Sequence, residues 1–119
     1  MNHQRVARIN DEIKKEVSKL IRHELKDPRI GEMTSVTKVE TSNDLSTCKV
    51  FVSVLGGEKE KTAALEGLTS AAGFIRKAVA DTVNLRQTPK LRFMLDDSVA
   101  QHMKIEALLR QVKSEDSAT

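Results

Sequence analysis

One alternating run of residues constrains this chain more than any other feature. Between residues 48 and 54, four apolar side chains occupy every second position: Cys48, Val50, Val52 and Val54. A period of two is typical of a β-strand that buries one face. The segment over about residues 33–41, rich in Thr and Val, is predicted to be its partner. The turn residues at 42–44 predict a hairpin between the two.

The remaining strand signals are shorter or less regular. Val36 and Val39 would point to opposite faces of a regular strand, so the first strand is predicted to contain a β-bulge. Pro89 precedes a short strand predicted over residues 90–95. Cys48, the one cysteine, alternates with the valines and is therefore predicted to be an inert core residue.

Helical patterns flank the hairpin. From Gln4 to Lys26 apolar residues recur at steps of three and four, as on one face of an amphipathic helix, and Pro28 ends it. The stretch 58–84 is also helical in pattern, with Gly73 near its middle.

A last helix is predicted from residues 96–98 to about residue 113. Ser98 and Gln101 have the spacing of a capping box. Asp96 and Asp97 fit this helix start better than an acid–base pair. The buried face of the helix is predicted from apolar residues at helical spacing: Val99, Met103, Leu109 and Val112, with Ile105 or Leu108.

The order of elements is helix, strand, strand, helix, broken helix, strand, helix. It predicts an α+β fold in two layers, with helices packed on one face of a three-stranded sheet. The length of 119 residues suits one domain, expected at residues 1–113, with a flexible polar tail at 114–119. Phe74 and Phe93 are assigned to the core.

Composition narrows the possible functions. The chain has no Trp, no Tyr and 3 Phe, too few for the base-stacking sheet of an RNA-recognition motif or a cold-shock barrel. Contact with nucleic acid is therefore expected to rely on phosphate and shape. The three histidines lack ligand spacing, and Gly56-Gly57 lacks the rest of a nucleotide-hydrolase loop, so no metal, cofactor or catalysis is expected. The chain shows neither a signal peptide nor a membrane span, which predicts a soluble cytoplasmic protein.

The net charge of +3 conceals two basic segments. Residues 1–30 carry 8 basic and 5 acidic side chains, and residues 74–95 carry 5 and 1. If these segments adjoin in space, they form a basic surface suited to phosphates. The alternative is that they are ordinary solvated faces.

Gly73 has two possible explanations. A glycine inside a helix costs about 1 kcal/mol relative to alanine. It can let the helix kink and restart, which exposes backbone N–H groups that attract phosphate. Alternatively, it permits close helix packing or is merely tolerated.

These segments resemble bacterial ribosome-binding factor A over about residues 5–112. The resemblance lies in the order and spacing of short motifs: Asp27-Pro28-Arg29, residues 39–42 with Asp44-Leu45, residues 70–76, Leu85-Arg86, Pro89-Lys90-Leu91, and Phe93 with Asp96-Asp97-Ser98. It implies a type II KH-like fold, in which an Ala-x-Gly kink, here Ala71 to Gly73, replaces the KH glycine loop.

The resemblance also implies a function. It implies a monomeric, non-catalytic factor without cofactor that binds 16S rRNA on the free 30S subunit late in assembly, aids rRNA processing and supports growth in the cold. Ribosomal proteins or an assembly GTPase are further possible partners, and no membrane is involved. The RNA-binding residues are expected in the kink and the basic segments: Arg5, Arg8, Lys15, Ser70, Ala71, Gly73, Arg76, Lys77, Arg86, Lys90 and Arg92. Reversal of Arg76 and Lys77 to Glu is expected to abolish binding and leave the fold intact.

Two other functions remain open at this point. The chain could be a protein-binding adaptor on the 30S subunit, which would bind the assembled particle but not protein-free 16S rRNA. It could also be a ribosome-hibernation-type factor, although that family has more strands before its second helix. Co-sedimentation with whole ribosomes would favour hibernation.

Overall fold

The computed structural model describes residues 3–31, 33–96 and 105–112. Three helices and three strands follow one another as α1 (His3–His23), β1 (Thr34–Thr41), β2 (Thr47–Val54), α2 (Glu58–Ser70), α3 (Ala72–Thr82) and β3 (Lys90–Leu95). Residues 105–112 are also helical. The order of elements is the one predicted, and the fold class is α+β.

The three strands form one mixed sheet in the order β1-β2-β3. β1 and β2 are antiparallel, as expected of a hairpin, whereas β2 and β3 are parallel and joined through α2 and α3. The predicted bulge is confirmed, because the register shifts between Val36 and Lys38. The shift lets Val36 and Val39 both face the core, where they are 8% and 7% exposed.

The core lies between one face of the sheet and the three helices. The alternating β2 side chains are buried, including Cys48, and so is Phe93 on β3. α1 contributes a stripe at helical spacing that includes Ile13, Val17 and Leu20. These residues confirm the sequence-based assignments of core, including that of Cys48.

Three details differ from the prediction. α1 ends at His23 rather than at Lys26, because the N–H of Leu25 bonds to the carbonyl of Leu20, five residues back, and turns the chain out of the helix. Phe74 is 53% exposed and is not a core residue. Asp96 accepts a hydrogen bond from the Thr37 hydroxyl and so ties the end of β3 to β1.

The buried face predicted for the last helix is wrong where it can be checked. Ile105, Leu108, Leu109 and Val112 are between 55% and 63% exposed. The reason is that α1, α2 and α3 already cover the apolar face of the sheet. Val99, Met103 and the residues of the predicted helix start, Asp97, Ser98 and Gln101, lie outside the described residues.

Candidate nucleic-acid interface

The junction between α2 and α3 is where the sequence predicted a break. The break is confirmed and lies at Ala71, which ends α2 and precedes α3. Its N–H bonds to the carbonyl of Gly67 (3.0 Å), and its carbonyl accepts from the N–H of Ile75 (2.9 Å). The N–H groups of residues 72–74 therefore precede the first regular helical bond of α3 and have no acceptor within it. No side chain caps this end, so the first turn of α3 presents N–H groups that its own carbonyls do not bond, at the positive end of the helix dipole.

Gly73 is exposed in the first turn of α3. A Cβ atom added there would meet nothing within 4 Å, and the residue has no positive φ. Neither close packing nor backbone conformation in this chain requires a glycine at this position. What the missing side chain does provide is room for another molecule to approach the N–H groups of the first turn of α3.

Gly67 has the packing role that was considered for Gly73. A Cβ atom added at Gly67 would lie 2.8 Å from Cγ1 of Ile30 and 3.2 Å from Cβ of Arg29. The turn that follows α1 thus rests directly on the backbone of α2.

A shallow groove of about 450 Å³ runs beside the junction. Its lining includes Ser70, Thr69 and Leu65 of α2, Leu95 of β3, and Arg29. Asp27 holds the Arg29 side chain in place, with 2.7 Å between Oδ2 and Nη2. Hydrogen bonds from Arg29 lower the pKa of the Asp27 carboxyl, and the same pair raises the pKa of Arg29. The ion pair therefore fixes the orientation of a permanent cation at the rim of the groove.

Phe74 and Lys77 extend this surface along α3. Both side chains are exposed. Phe74 is the third residue of α3, so it belongs to the same first turn as these N–H groups. An exposed ring next to backbone donors can stack a base while the donors hold a phosphate.

Arg76 has a structural role that the sequence did not indicate. Its Nη2 donates to the carbonyl of Thr88 (2.9 Å) and its Nε to the carbonyl of Pro89 (3.3 Å). It therefore fastens α3 to the loop that leads into β3. Reversal of Arg76 would break these bonds, so the expectation that the fold tolerates it is not supported by this geometry.

The two basic segments do adjoin. Arg5 and Arg8 of α1 line one cleft with Thr82, Asn84 and Leu85, the residue before Arg86. Lys15 lines a second cleft together with Thr82 and Val83. The first helix and the loop after α3 thus adjoin along one edge, here called the basic edge, on which cations outnumber the carboxylates of Glu12 and Glu16.

Lys90 and Arg92 lie elsewhere. On β3 the exposed side chains of Lys90 and Arg92 alternate with the buried side chains of Leu91 and Phe93. They therefore face away from the helices, on the open side of the sheet. The predicted residues form three groups: the α2–α3 junction, the edge of α1 with the loop after α3, and the open face of the sheet.

Sequence reasoning missed Arg29, Phe74 and Lys49. Arg29 was signalled only as part of a family motif, and its closeness to Ser70 depends on how the turn packs on Gly67. Phe74 lies next to the buried positions Ile75 and Val79 rather than on their stripe. Lys49 becomes notable only once the register places it beside Arg92.

The described residues also bear on metal binding, membrane insertion and thiol reactivity. They contain no group of three or more side chains that could hold a metal ion, and within the same ranges no helix is long and apolar enough to span a membrane. The Cys48 thiol is buried, and burial raises its pKa, which opposes formation of a reactive thiolate.

Several known proteins resemble this chain in sequence and fold. A family model described as ribosome-binding factor A matches residues 5–109. Ribosome-binding factor A of Lachnospira eligens is 50% identical over 111 residues, which cover 93% of this chain and 85% of that protein. The solution structure of a Thermotoga maritima protein, described as a putative ribosome binding factor A, aligns with a TM-score of 0.69 at 32% identity and covers 79% of this chain and 89% of that one. A homology model of Thermus thermophilus ribosome binding factor A, fitted into the cryo-EM map of a complex of that protein with the 30S subunit, aligns with a TM-score of 0.60 at 26% identity, over 82% of this chain and 97% of that one.

Proposed function

The chain belongs to the ribosome-binding factor A family, and we propose on that basis that it binds the free small ribosomal subunit late in assembly. There it assists maturation of the subunit and processing of 16S rRNA in the cytoplasm. It acts by binding and not by catalysis. The Thermus relative that has been fitted into a 30S complex supports this partner.

The observation that carries the proposal is the open, uncapped start of α3. The N–H groups of residues 72–74, which the carbonyls of α3 do not bond, and the space around Gly73 suit a backbone phosphate of rRNA. Ser70 adds a hydroxyl and Lys77 a cation on the same exposed junction. These contacts hold a nucleic-acid backbone without reading its sequence.

Phe74 adds a different kind of contact at the junction. Its half-exposed ring offers an apolar face to an unpaired base next to the bound phosphate. Arg29 lines the adjoining groove together with Glu66, and its guanidinium, paired with Asp27, offers its remaining N–H donors there. The junction is thus proposed to bind single-stranded or irregular rRNA rather than a regular duplex.

The basic edge formed by α1 and the loop after α3 supplies further phosphate contacts. Arg5, Arg8, Lys15 and Arg86 are exposed there. Each phosphate contact releases counterions, so affinity for the subunit is expected to fall steeply as salt rises. The edge contributes attraction and orientation, while the junction determines where the backbone sits.

A sedimentation profile of a cell extract, probed for this protein, tests the proposed function. The protein is expected with free small subunits and is expected to be absent from translating ribosomes. Its presence on whole ribosomes instead would indicate hibernation. A second measurement compares protein-free 16S rRNA with assembled subunits: binding to the particle alone would indicate a protein-binding adaptor.

A further inference from the structure

The sheet has a second face, which α1, α2 and α3 leave uncovered. Along each strand the side chains that alternate with the core residues point to this face. Its charged residues within the described strands are four cations and one anion: Lys38, Lys49, Lys90, Arg92 and Glu40, the last being the register partner of Lys49. A second anion, the Asp96 carboxylate, follows β3 directly and lies close enough to attract Lys38. A surface of this charge attracts anions.

The register places these cations next to one another. Lys49 of β2 is the partner of Arg92 of β3, so their Cα atoms lie about 4.8 Å apart in the sheet. Lys90 lies two residues before Arg92 on the same face. Within the described ranges, Lys49, Lys90 and Arg92 form no ion pair, whereas Lys38 pairs with Glu40 at 2.6 Å.

An aromatic ring stands in the middle of this face. Phe51 is half-buried and is the register partner of Met94, which is also half-buried. The Lys38 ammonium lies over the Phe51 ring, 5.7 Å from its centroid. One ring and one thioether thus form a small apolar surface with cations on either side.

We propose that this open face is a binding platform for single-stranded RNA, with one base on Phe51 and Met94 and the adjoining phosphates on Lys49, Lys90 and Arg92. The proposal rests on the proposed function and adds a second contact surface, on the opposite side of the sheet from the core. Charge complementarity selects an anionic partner. The half-buried ring selects a strand with unpaired bases, which can stack on it once the Lys38 side chain moves aside, whereas bases inside a duplex are already stacked.

The platform differs from the stacking sheets that the composition argued against. Those sheets stack two or three bases on several aromatic residues. A single ring holds a single base, so most of the affinity must come from the phosphates. The binding is therefore expected to be tolerant of sequence and sensitive to salt.

The test uses the full chain and a fluorescein-labelled oligoadenylate of about ten nucleotides, titrated at several salt concentrations. The double variant Lys49→Gln/Arg92→Gln removes two cations without placing like charges beside Glu40. It should reduce the slope of log affinity against log salt by about 1.4, since each contact to a single strand contributes about 0.7. The matched control Lys26→Gln/Lys59→Gln, with the same loss of charge on exposed residues outside the sheet, should leave the slope nearly unchanged.

Phe51→Leu tests the stacked base separately. Leucine retains apolar volume but lacks the ring face, so affinity should fall about tenfold, while the salt slope and the melting temperature stay close to the wild type. Equal effects of the two double variants, or unchanged affinity in both Phe51→Leu and Lys49→Gln/Arg92→Gln, would overturn the platform.

Two further outcomes distinguish a failure of the RNA platform from a failure of the proposed function. If the wild type binds free small subunits and the sheet variants bind the oligonucleotide like the wild type, the platform fails and the proposed function stands. If the wild type does not bind free small subunits at all, the proposed function itself fails. Nuclear Overhauser contacts between the Phe51 ring and Ile105 or Leu109 in the free protein would show that the chain's own helix covers the face, and would also overturn the platform.

Discussion

Gly67 and Gly73 lie six residues apart, but only Gly67 is packed too closely for a side chain. Gly67→Ala places a Cβ atom against Ile30 and Arg29 and should destabilise the fold by about 1–3 kcal/mol through overpacking. Gly73→Ala meets open space in a helical turn and should stabilise the fold by roughly 0.5–1 kcal/mol. Urea denaturation of the two variants measures both changes. Equal destabilisation by the two would show that Gly73 has a packing role after all.

Arg76 and Lys77 form a second contrasting pair of neighbours. Arg76→Gln removes two hydrogen bonds from a charged donor to the loop at 88–89 and should cost about 1.5 kcal/mol of stability. Lys77→Gln should leave the melting temperature almost unchanged and weaken binding to the small subunit, with a flatter salt dependence. The comparison would contradict the assigned roles if Lys77→Gln lowered the melting temperature as much as Arg76→Gln.

The turn between β1 and β2 depends on one carboxylate. Asp44 accepts hydrogen bonds from the Ser46 hydroxyl (2.7 Å), the Ser42 hydroxyl (2.7 Å) and the Ser46 N–H (3.1 Å). These bonds, first that of the Ser46 hydroxyl, lower the pKa of Asp44 to about 2. Leu45 beside it adopts a positive φ of 62°, so the carboxylate stabilises a turn that the backbone alone does not favour.

This carboxylate predicts a pH dependence of stability. Since the folded state lowers the pKa of Asp44 from 3.8 to about 2, the stabilisation is complete above about pH 4 and disappears as the pH falls through about 2. Asp44→Ala should therefore be less stable than the wild type at neutral pH, and the difference should shrink between about pH 4 and pH 2. Thermal unfolding over that range measures it, and a constant difference would exclude the carboxylate as the cause.

Regular elements could be predicted because their patterns depend on neighbouring residues only. The alternation over 48–54 and the bulge between the two valines follow from the period of a strand. The apolar stripe of α1 follows in the same way from the period of a helix. The end of α1 and the exposure of Phe74 could not be predicted, since they depend on which groups the tertiary fold brings alongside.

The candidate site was predictable only in part for the same reason. A glycine within a helical pattern indicated the junction, and the basic segments indicated a charged edge. The assignment of Arg76 to RNA was not supported, because carbonyl groups at 88–89 lie within its reach only after α3 packs beside the loop. Lys90 and Arg92 appeared continuous with that loop in sequence, yet strand alternation places them on the open face.

In the molecule as a whole, the residues that form the core and the residues proposed to bind RNA lie on different surfaces. One face of the sheet and three helices form the core, while the junction, the basic edge and the open sheet face leave donors and cations exposed. A modest net charge of +3 is therefore compatible with strong attraction to rRNA, because the cations are grouped on these surfaces.

The proposed function depends on one contact above all, in which the first turn of α3 binds an rRNA phosphate on the small subunit. The most direct measurement is the affinity of wild type and Gly73→Ala for purified free small subunits, taken together with their melting temperatures. We expect Gly73→Ala to melt at the same or a higher temperature and to bind at least several-fold more weakly, because the methyl group occupies the approach to the N–H groups of residues 72–74. Undiminished affinity in a variant that is at least as stable as the wild type would contradict it.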